Sequence, residues 1–327
     1  MDRQLNFLVA VNALVLLAAV AIAGTDFAGI YNLQSMAVQV PELGLLAIGV
    51  TLTMISGNGG IDLSGIAVAN LAGIVAALTV PLWISADDSP MTYAFVFAAA
   101  CLAVGLLCGL VNGFLVSRAS LTPIIATLGT SLAYTGLSVV LTNGSGVRLG
   151  YIEPLDNFGH MPILGIPMCF AVFIVLAVIV GCVLRFSPFG MRLYMLGSNA
   201  KAARFAGFNQ IRLLMVTYTL SSLFASVAGF IIAARISSVK WDYGTSYVLI
   251  AILITVMAGV RPSGGYGKIT CVVLSAVALQ MLSSMFNFLN ISNFFRDFAW
   301  GLLLLIFLWV SGIDLRTLFA LRPRAGS

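Results

Sequence analysis

The sequence predicts an all-α polytopic membrane protein, with about ten transmembrane helices in two weakly related, Gly-interrupted halves. Three observations carry that expectation. First, 61% of the 327 residues are hydrophobic and only 8% are charged, where a soluble domain carries roughly a quarter charged residues. Second, charge-free runs of the roughly 20 residues needed to cross a bilayer recur along the chain. Third, there is an internal echo. Leu45-Leu-Ala-Ile-Gly-Val-Thr-Leu-Thr-Met-Ile-Ser-Gly-Asn-Gly-Gly runs into Ile61-Asp-Leu-Ser, and Val248-Leu-Ile-Ala-Ile-Leu-Ile-Thr-Val-Met-Ala-Gly-Val-Arg-Pro-Ser-Gly-Gly runs into Tyr266-Gly-Lys-Ile-Thr. Both are apolar half-spans that break at glycines and restart, the pattern of transporters built from repeats.

In order, the spans fall near 5–23, 36–56, 64–84, 92–116, 123–141, 163–184, 213–234, 246–260, 270–287 and 294–311. Those near 36–56 and 246–260 are expected to be interrupted by Gly, Pro or short length. The first span follows Met1-Asp-Arg-Gln without a small-residue exit site at the right distance, so it reads as an uncleaved helix. Gly105, Gly109 and Gly113 form a small-xxx-small ridge that lets one helix approach another closely. Cys101, Cys108, Cys169, Cys182 and Cys271 all lie in spans without metal-like spacing and read as small apolar residues.

With the N-terminus inside, the inner loops receive Arg3, Arg118, Arg185, Arg192, Lys201, Arg204, Arg212, Arg261, Lys268, Arg316, Arg322 and Arg324. The outer side keeps Arg148, Arg235, Lys240 and Arg296, a bias of about three to one. The net charge of +5 therefore reflects topology, and no nucleic-acid partner is implied, because no basic stripe lies on a soluble face. Residues 1–327 read as a single transmembrane domain. Its notable loops are an inner one at about 185–212, an outer one at 142–161 containing His160, and a short basic inner tail at 312–327.

The chain offers little to catalysis. Gly267-Lys268 superficially suggests a phosphate loop, but Pro262 stands where its first glycine belongs and Ile269 where a magnesium-binding hydroxyl belongs. One histidine and no His/Cys/carboxylate cluster argue against both a nucleophilic triad and a metal site. Catalytic residues, metal ligands and cofactors are therefore expected to be absent from this chain.

Three other features carry structural or binding roles. In the inner loop, Ser198 or Asn199 is placed to cap a short helix through Ala-Lys-Ala-Ala-Arg-Phe-Ala that stops at Gly207. Such a small-residue helix suits being gripped by another protein, with Phe205 as an apolar anchor. At Gly57-Asn-Gly-Gly-Ile-Asp-Leu-Ser, Gly59 and Gly60 permit a tight break, and Asp62 with Ser64 is placed to cap the next helix; Gly264 and Gly265 mark the second break. Within the spans, Glu42 follows Pro41, and amides and hydroxyls such as Asn70, Asn112, Thr130, Ser131, Tyr134, Gln280, Ser283 and Asn287 outnumber charges. Singly each reads as helix–helix glue. Together, with Asn70, Tyr134, Gln280 and Asn287 as candidate lining, they suggest a neutral polar pathway suited to a sugar-like solute.

At Gly59-Gly-Ile-Asp-Leu-Ser, Leu128-Gly-Thr, Gly197-Ser-Asn-Ala-Lys-Ala-Ala-Arg-Phe-Ala-Gly and Gly264-Gly-Tyr-Gly, in this order over nearly the whole chain, the sequence resembles the ribose/xylose/arabinose-type permeases of bacterial ABC importers. It departs where Gly65-Ile66 follow Ser64. The resemblance implies a dimer of identical or similar permease subunits in the bacterial inner membrane, with both termini cytoplasmic. It also implies a cytoplasmic ATPase partner, which would hold the ATP and magnesium, and a periplasmic sugar-binding protein. Residues 197–207 match the family's coupling helix, so Ser198, Asn199, Ala202, Ala203, Phe205 and Gly207 are expected at the ATPase contact. Permeases for autoinducer-2 and nucleosides share the pattern, and a stand-alone ion-coupled transporter is the rival of another class.

Overall fold

The computed structural model describes residues 3–163 and 165–312; the basic tail expected from the sequence lies, from residue 313 onward, outside them. Thirteen α-helices appear among the described residues: α1 (Arg3–Ala23), α2 (Ile30–Ile55), α3 (Gly65–Thr79), α4 (Pro90–Ser117), α5 (Pro123–Thr142), α6 (Glu153–His160), α7 (Met168–Phe186), α8 (Pro188–Ser198), α9 (Ala200–Phe205), α10 (Gln210–Ile236), α11 (Tyr247–Met257), α12 (Ile269–Phe288) and α13 (Asn293–Gly312). Each sequence-derived span coincides with one apolar helix, and eight helices are long and apolar enough to cross a membrane. The chain is a multi-pass, all-α membrane protein. At 11 residues, α11 is a half-span, as its short length led us to expect.

The expectation for 36–56 needs correction. Pro41 does not interrupt α2, which runs unbroken for 26 residues and starts earlier, at Ile30. A proline is tolerated inside a membrane helix where neighbours serve the freed backbone groups. The carbonyl that Pro41 leaves without its helical donor is Ala37 O, and this part of α2 packs against α7, where Cys169 Sγ reaches the next carbonyl, Val38 O, at 3.9 Å. From Val40 to Ile55 every residue of α2 is buried, and a helix apolar all round belongs at the centre of a bundle.

Its main partners are α10, α11 and α12, while α10 also packs on α3 and along α4. The ridge on α4 explains the last contact. A Cβ at Gly105 would lie 2.3 Å from Ser226 Oγ, one at Gly109 2.7 Å from Thr219 Cα, and one at Gly113 2.8 Å from Met215 Sδ, all on α10. Only small residues let the two backbones approach so closely, which is where helices in lipid gain their packing energy.

The echo between the halves is visible in the fold. α2 ends at Gly57 (φ 80°) and α11 at Gly259 (φ 81°), both in the left-handed conformation that closes a helix. The full span α2 and the half-span α11 meet with Thr51 and Thr255 hydroxyls 3.3 Å apart. At the opposite end the 142–161 segment is more ordered than a plain loop. It holds α6 and the strand β1 (Val147–Arg148); β2 (Pro162–Ile163) and β3 (Ile166–Pro167) pair with each other just beyond it, and β1 pairs antiparallel with β4 (Ser238–Val239).

Candidate functional site

At one end of the bundle α7 hands over to α8, α9 and α10 through three short corners. Ser187 caps α8 by accepting from Gly190 N (3.3 Å). Of the two expected caps for α9, it is Asn199 that serves: its Oδ1 accepts from Ala202 N at 3.0 Å, while Ser198 is the last residue of α8. Such a cap contributes about 1 kcal/mol. α9 stops where Gly207 turns left-handed (φ 78°), and Asn209 caps α10 on Arg212 N (2.9 Å). Gln210 Nε2 then donates back to Ala200 O (2.7 Å), which fixes α9 against the start of α10.

The faces of α9 differ. Phe205 is 94% exposed and Ala202 is exposed beside it, whereas Ala203 is buried against the protein itself. Ala203 therefore supports the helix from beneath and is not free to meet a partner. The outward face is an unpartnered aromatic ring flanked by Lys201 and Arg204.

The corner that carries α9 rests on both helix breaks. Gly265 N donates to Ile55 O (3.0 Å), which joins the second break to the end of α2. A Cβ on Gly197 would lie 1.9 Å from Ile55 O and 2.4 Å from Gly265 N. One on Gly264 would lie 2.3 Å from Gly57 Cα. These approaches are backbone to backbone, so only glycine fits. Tyr194 OH completes the joint by donating to Gly267 O (2.7 Å); burial pushes its phenol above the ordinary value, which keeps it a donor. Thus the segment projecting α9 is clasped where the two interrupted halves meet.

Asp62 is buried at the foot of the first break, where Gly60 N closes the turn on Gly57 O (2.9 Å) and Gly59 lies at its partly exposed corner. Its Oδ1 accepts from Ser64 N (3.0 Å) and Ser64 Oγ (2.7 Å), fastening the start of α3 as a cap does. Its Oδ2 accepts from Ser221 Oγ of α10 (2.7 Å), and Asn112 Nδ2 of α4 donates to Ser64 Oγ (2.8 Å). The carboxylate is thus the hub of a buried network joining α3, α4 and α10.

The four candidate pathway residues each hold a separate contact between elements. Asn70 Nδ2 donates to Trp241 O (3.1 Å) and Tyr243 O (2.9 Å), pinning the segment after α10. Tyr134 OH donates to Cys108 O (3.1 Å), Gln280 Nε2 to Gln39 Oε1 (3.2 Å), and Asn287 Oδ1 accepts from Arg296 Nη1 (2.8 Å). Each joins a different pair of elements.

A cluster that sequence reasoning did not assemble lies towards the other end. Arg235 Nε donates to Glu42 Oε1, Arg235 Nη2 to Tyr243 OH (2.7 Å), and Tyr243 OH (3.1 Å) and Tyr247 OH (3.3 Å) both donate to Glu42 Oε2. The available signal was Glu42 itself, because a carboxylate inside an apolar helix requires a cation. Four outer-side cations competed for it, and the sequence did not choose among them.

A bundle of buried apolar helices, broken at paired glycines and presenting one capped helix from the joint, defines a multi-pass membrane permease. The chain belongs to the branched-chain amino acid transport system / permease component family, whose profile matches residues 32–308. Among its relatives are the ribose import permease protein RbsC of Escherichia coli (strain K12), 33% identical over 90% of this chain and 89% of that protein, and RbsC of Bacillus subtilis (strain 168), 31% identical over 89% and 88%. The L-arabinose transport system permease protein AraH of Escherichia coli (strain K12) is 32% identical over 89% of this chain and 85% of its own length. No solved structure matches the chain.

Proposed function

We propose that this chain is the membrane subunit of a bacterial ABC importer that carries a monosaccharide or sugar-like solute into the cytoplasm. A separate cytoplasmic ATPase, which holds the ATP and magnesium, drives it; a periplasmic binding protein feeds it; and a second permease subunit completes the pathway. The subunit sits in the inner membrane with both termini, and the basic α8–α10 end, in the cytoplasm. The solute class is supported by the sugars in the names of the relatives and by the neutral polar groups in the spans.

The single observation that carries the ATPase contact is Phe205. A ring 94% exposed on a capped helix is stable in water only at a cost, and covering such a ring stabilises a contact by about 1.5–3 kcal/mol. The helix also hangs from the joint of the two broken halves. Movement of α9 is therefore transmitted to both breaks at once, through Gly197 and Gly265. The ATPase supplies the chemical step; this chain converts its closure into opposite tilts of the two halves.

The test is a pull-down from membranes, paired with uptake of ribose and arabinose. The wild-type chain is expected to bring down a Walker-type ATPase, and Phe205→Asp to lose it and to reduce uptake at least tenfold. Unchanged recovery of the same partners by Phe205→Asp rejects the docking assignment. Uphill uptake by vesicles containing this chain alone rejects the ABC reading.

A further inference from the structure

Two groups of helices meet along a seam. On one side α3, α4 and α10 are fixed together: the α4 ridge packs on α10, and Asp62 ties the start of α3 to Ser221 of α10. The irregular segment between α10 and α11 belongs to this side, because Asn70 of α3 holds Trp241 O (3.1 Å) and Tyr243 O (2.9 Å). On the other side α2 and α11 form a pair. Thr255 Oγ1 of α11 lies 3.3 Å from both Thr51 Oγ1 and Ala47 O of α2, which ties the two helices at mid-length.

Contacts across the seam differ along its length. At the middle, a Cβ on Gly49 of α2 would lie 2.8 Å from Ser221 Oγ and 3.1 Å from Ser221 O, so only glycine lets α2 rest this closely on α10. Towards the end away from the joint, long polar side chains take over. Glu42 of α2 accepts from Arg235 and from Tyr243 OH (3.1 Å), and Tyr243 OH lies 3.3 Å from Tyr247 OH of α11. Between this cluster and Asp62 is a cavity of about 10 Å³ bounded by Leu46, Val50, Ser221, Tyr247 and Ala251, with room for one water molecule at most. The seam is shut.

Gly49 lies about midway between Glu42 and Gly57, the end of α2 in the joint. At 1.5 Å per residue the two arms are about 10 and 12 Å long. A helix pinned at its middle carries a displacement of the joint to Glu42 with nearly the same size and the opposite sense. A shift of about 2 Å there takes the Glu42 contacts beyond hydrogen-bond reach. The Arg235 side chain is 22% exposed and that of Glu42 only 1%, so water stands at the edge of the contact and hydrates the charges once they part. Side chains that are resolvated in this way can open and close, whereas the backbone approaches along the α4 ridge cannot part without leaving a void.

We infer that Glu42 and Arg235 form a latch that shuts the outer end of the seam, and that α2, rocking on Gly49, opens it when the joint moves. The outer placement and the driving of the joint by an ATPase rest on the permease reading above; the latch itself does not. Both are positioning residues, which act by holding one state of the transport cycle.

Ala251, 1% exposed and bordering the cavity, is the reporter. The test uses the full-length chain in nanodiscs with Ala251→Cys and Cys182→Ala, Cys182 being the exposed native cysteine. Reaction with a charged methanethiosulfonate is expected to be slow, measured against the same chain retaining Ala251. Glu42→Leu/Arg235→Leu should speed it at least fivefold without nucleotide. The milder Glu42→Gln, which removes the charge and keeps the shape, should speed it about twofold, so the test does not hang on one variant folding. Rates unchanged in both overturn the latch. With the latch intact and the ATPase bound, the rate should differ at least fivefold between the nucleotide-free and the vanadate-trapped complex, and the double variant should lower the solute-to-ATP ratio at least tenfold. Equal rates in the two nucleotide states overturn the rocking of α2, and an unchanged ratio reduces the pair to a structural tie. Faster labelling in the latch variants of a chain that binds no ATPase counts against the permease reading alone.

Discussion

Glu42 lies fully buried inside α2, and its charge is met by Arg235, 193 residues away. Two tyrosines on the α10–α11 side, Tyr243 and Tyr247, satisfy the remaining carboxylate oxygen. Removing one partner of such a pair leaves an uncompensated charge and costs about 3–5 kcal/mol, whereas replacing both with apolar residues of similar size is often neutral. Glu42→Ala is therefore expected to lower the stability of the purified protein by about that amount in detergent. The double variant Glu42→Leu/Arg235→Leu should recover most of the loss, as read from thermal unfolding. Losses that simply add in the double variant would show that the two charges act independently. Asp62 has the same character with different partners. All three of its hydrogen bonds come from hydroxyl or backbone donors, so Asp62→Ala strands three donors and should cost about 3 kcal/mol or more.

At the scale of elements, the decisive feature is that three glycine segments share one joint. Gly57 ends α2, Gly264 and Gly265 belong to the second break, and Gly197 opens the corner to α9. Two alanine substitutions separate joint from surface. In Gly197→Ala the added methyl meets backbone atoms at 1.9 and 2.4 Å, so the corner must move away from both breaks. In Gly150→Ala, beside β1 and away from the joint, nothing lies within 4 Å of the added methyl, and only the left-handed backbone (φ 74°) is strained, a cost of about 1–2 kcal/mol. The expected outcome is that Gly150→Ala folds and transports at near wild-type rates. Gly197→Ala should instead either unfold or hydrolyse ATP with its partner without moving solute. Matching solute-to-ATP ratios in the two variants would show that the joint does not transmit movement. The ridge on α4 makes a parallel case: Gly109→Ile should separate α4 from α10 and lower the yield of folded protein, read by size-exclusion chromatography.

For the whole molecule, what the sequence revealed and what it concealed divide along physical lines. Hydropathy locates spans because lipid imposes a length on each, and every span read that way has its helix among the described residues. The short apolar run before Gly259 was legible as a half-span for the same reason. Pro41 misled because its effect depends on packing against elements far away in sequence, α7 and α10–α12, which enclose α2. The joint of Gly57, Gly197 and Gly264 was equally hidden: each glycine reads locally as a turn, and only the packed fold brings the three within contact. Asn70, Tyr134, Gln280 and Asn287 were legible as polar residues in apolar spans, but their partners were not, and those partners occupy different elements. What both sequence and fold point to is polarity of the entire bundle. Arg118, Arg192, Lys201, Arg204, Arg212 and Arg261 flank the elements meeting at the joint, and Gln4 Nε2, at the start of α1, donates to Met257 O beside it (2.9 Å). The bias of Lys and Arg toward the cytoplasm predicts that this end faces inward and that the end holding Trp83, 84% exposed beyond α3, faces outward. Single cysteines make this testable in intact cells of an outer-membrane-permeabilised strain, again with Cys182 replaced by alanine. Trp83→Cys should react with a membrane-impermeant maleimide from outside within minutes. Phe205→Cys should react only after the inner membrane is opened. Labelling of position 205 from outside would invert the molecule, and with it the face on which any ATPase must dock.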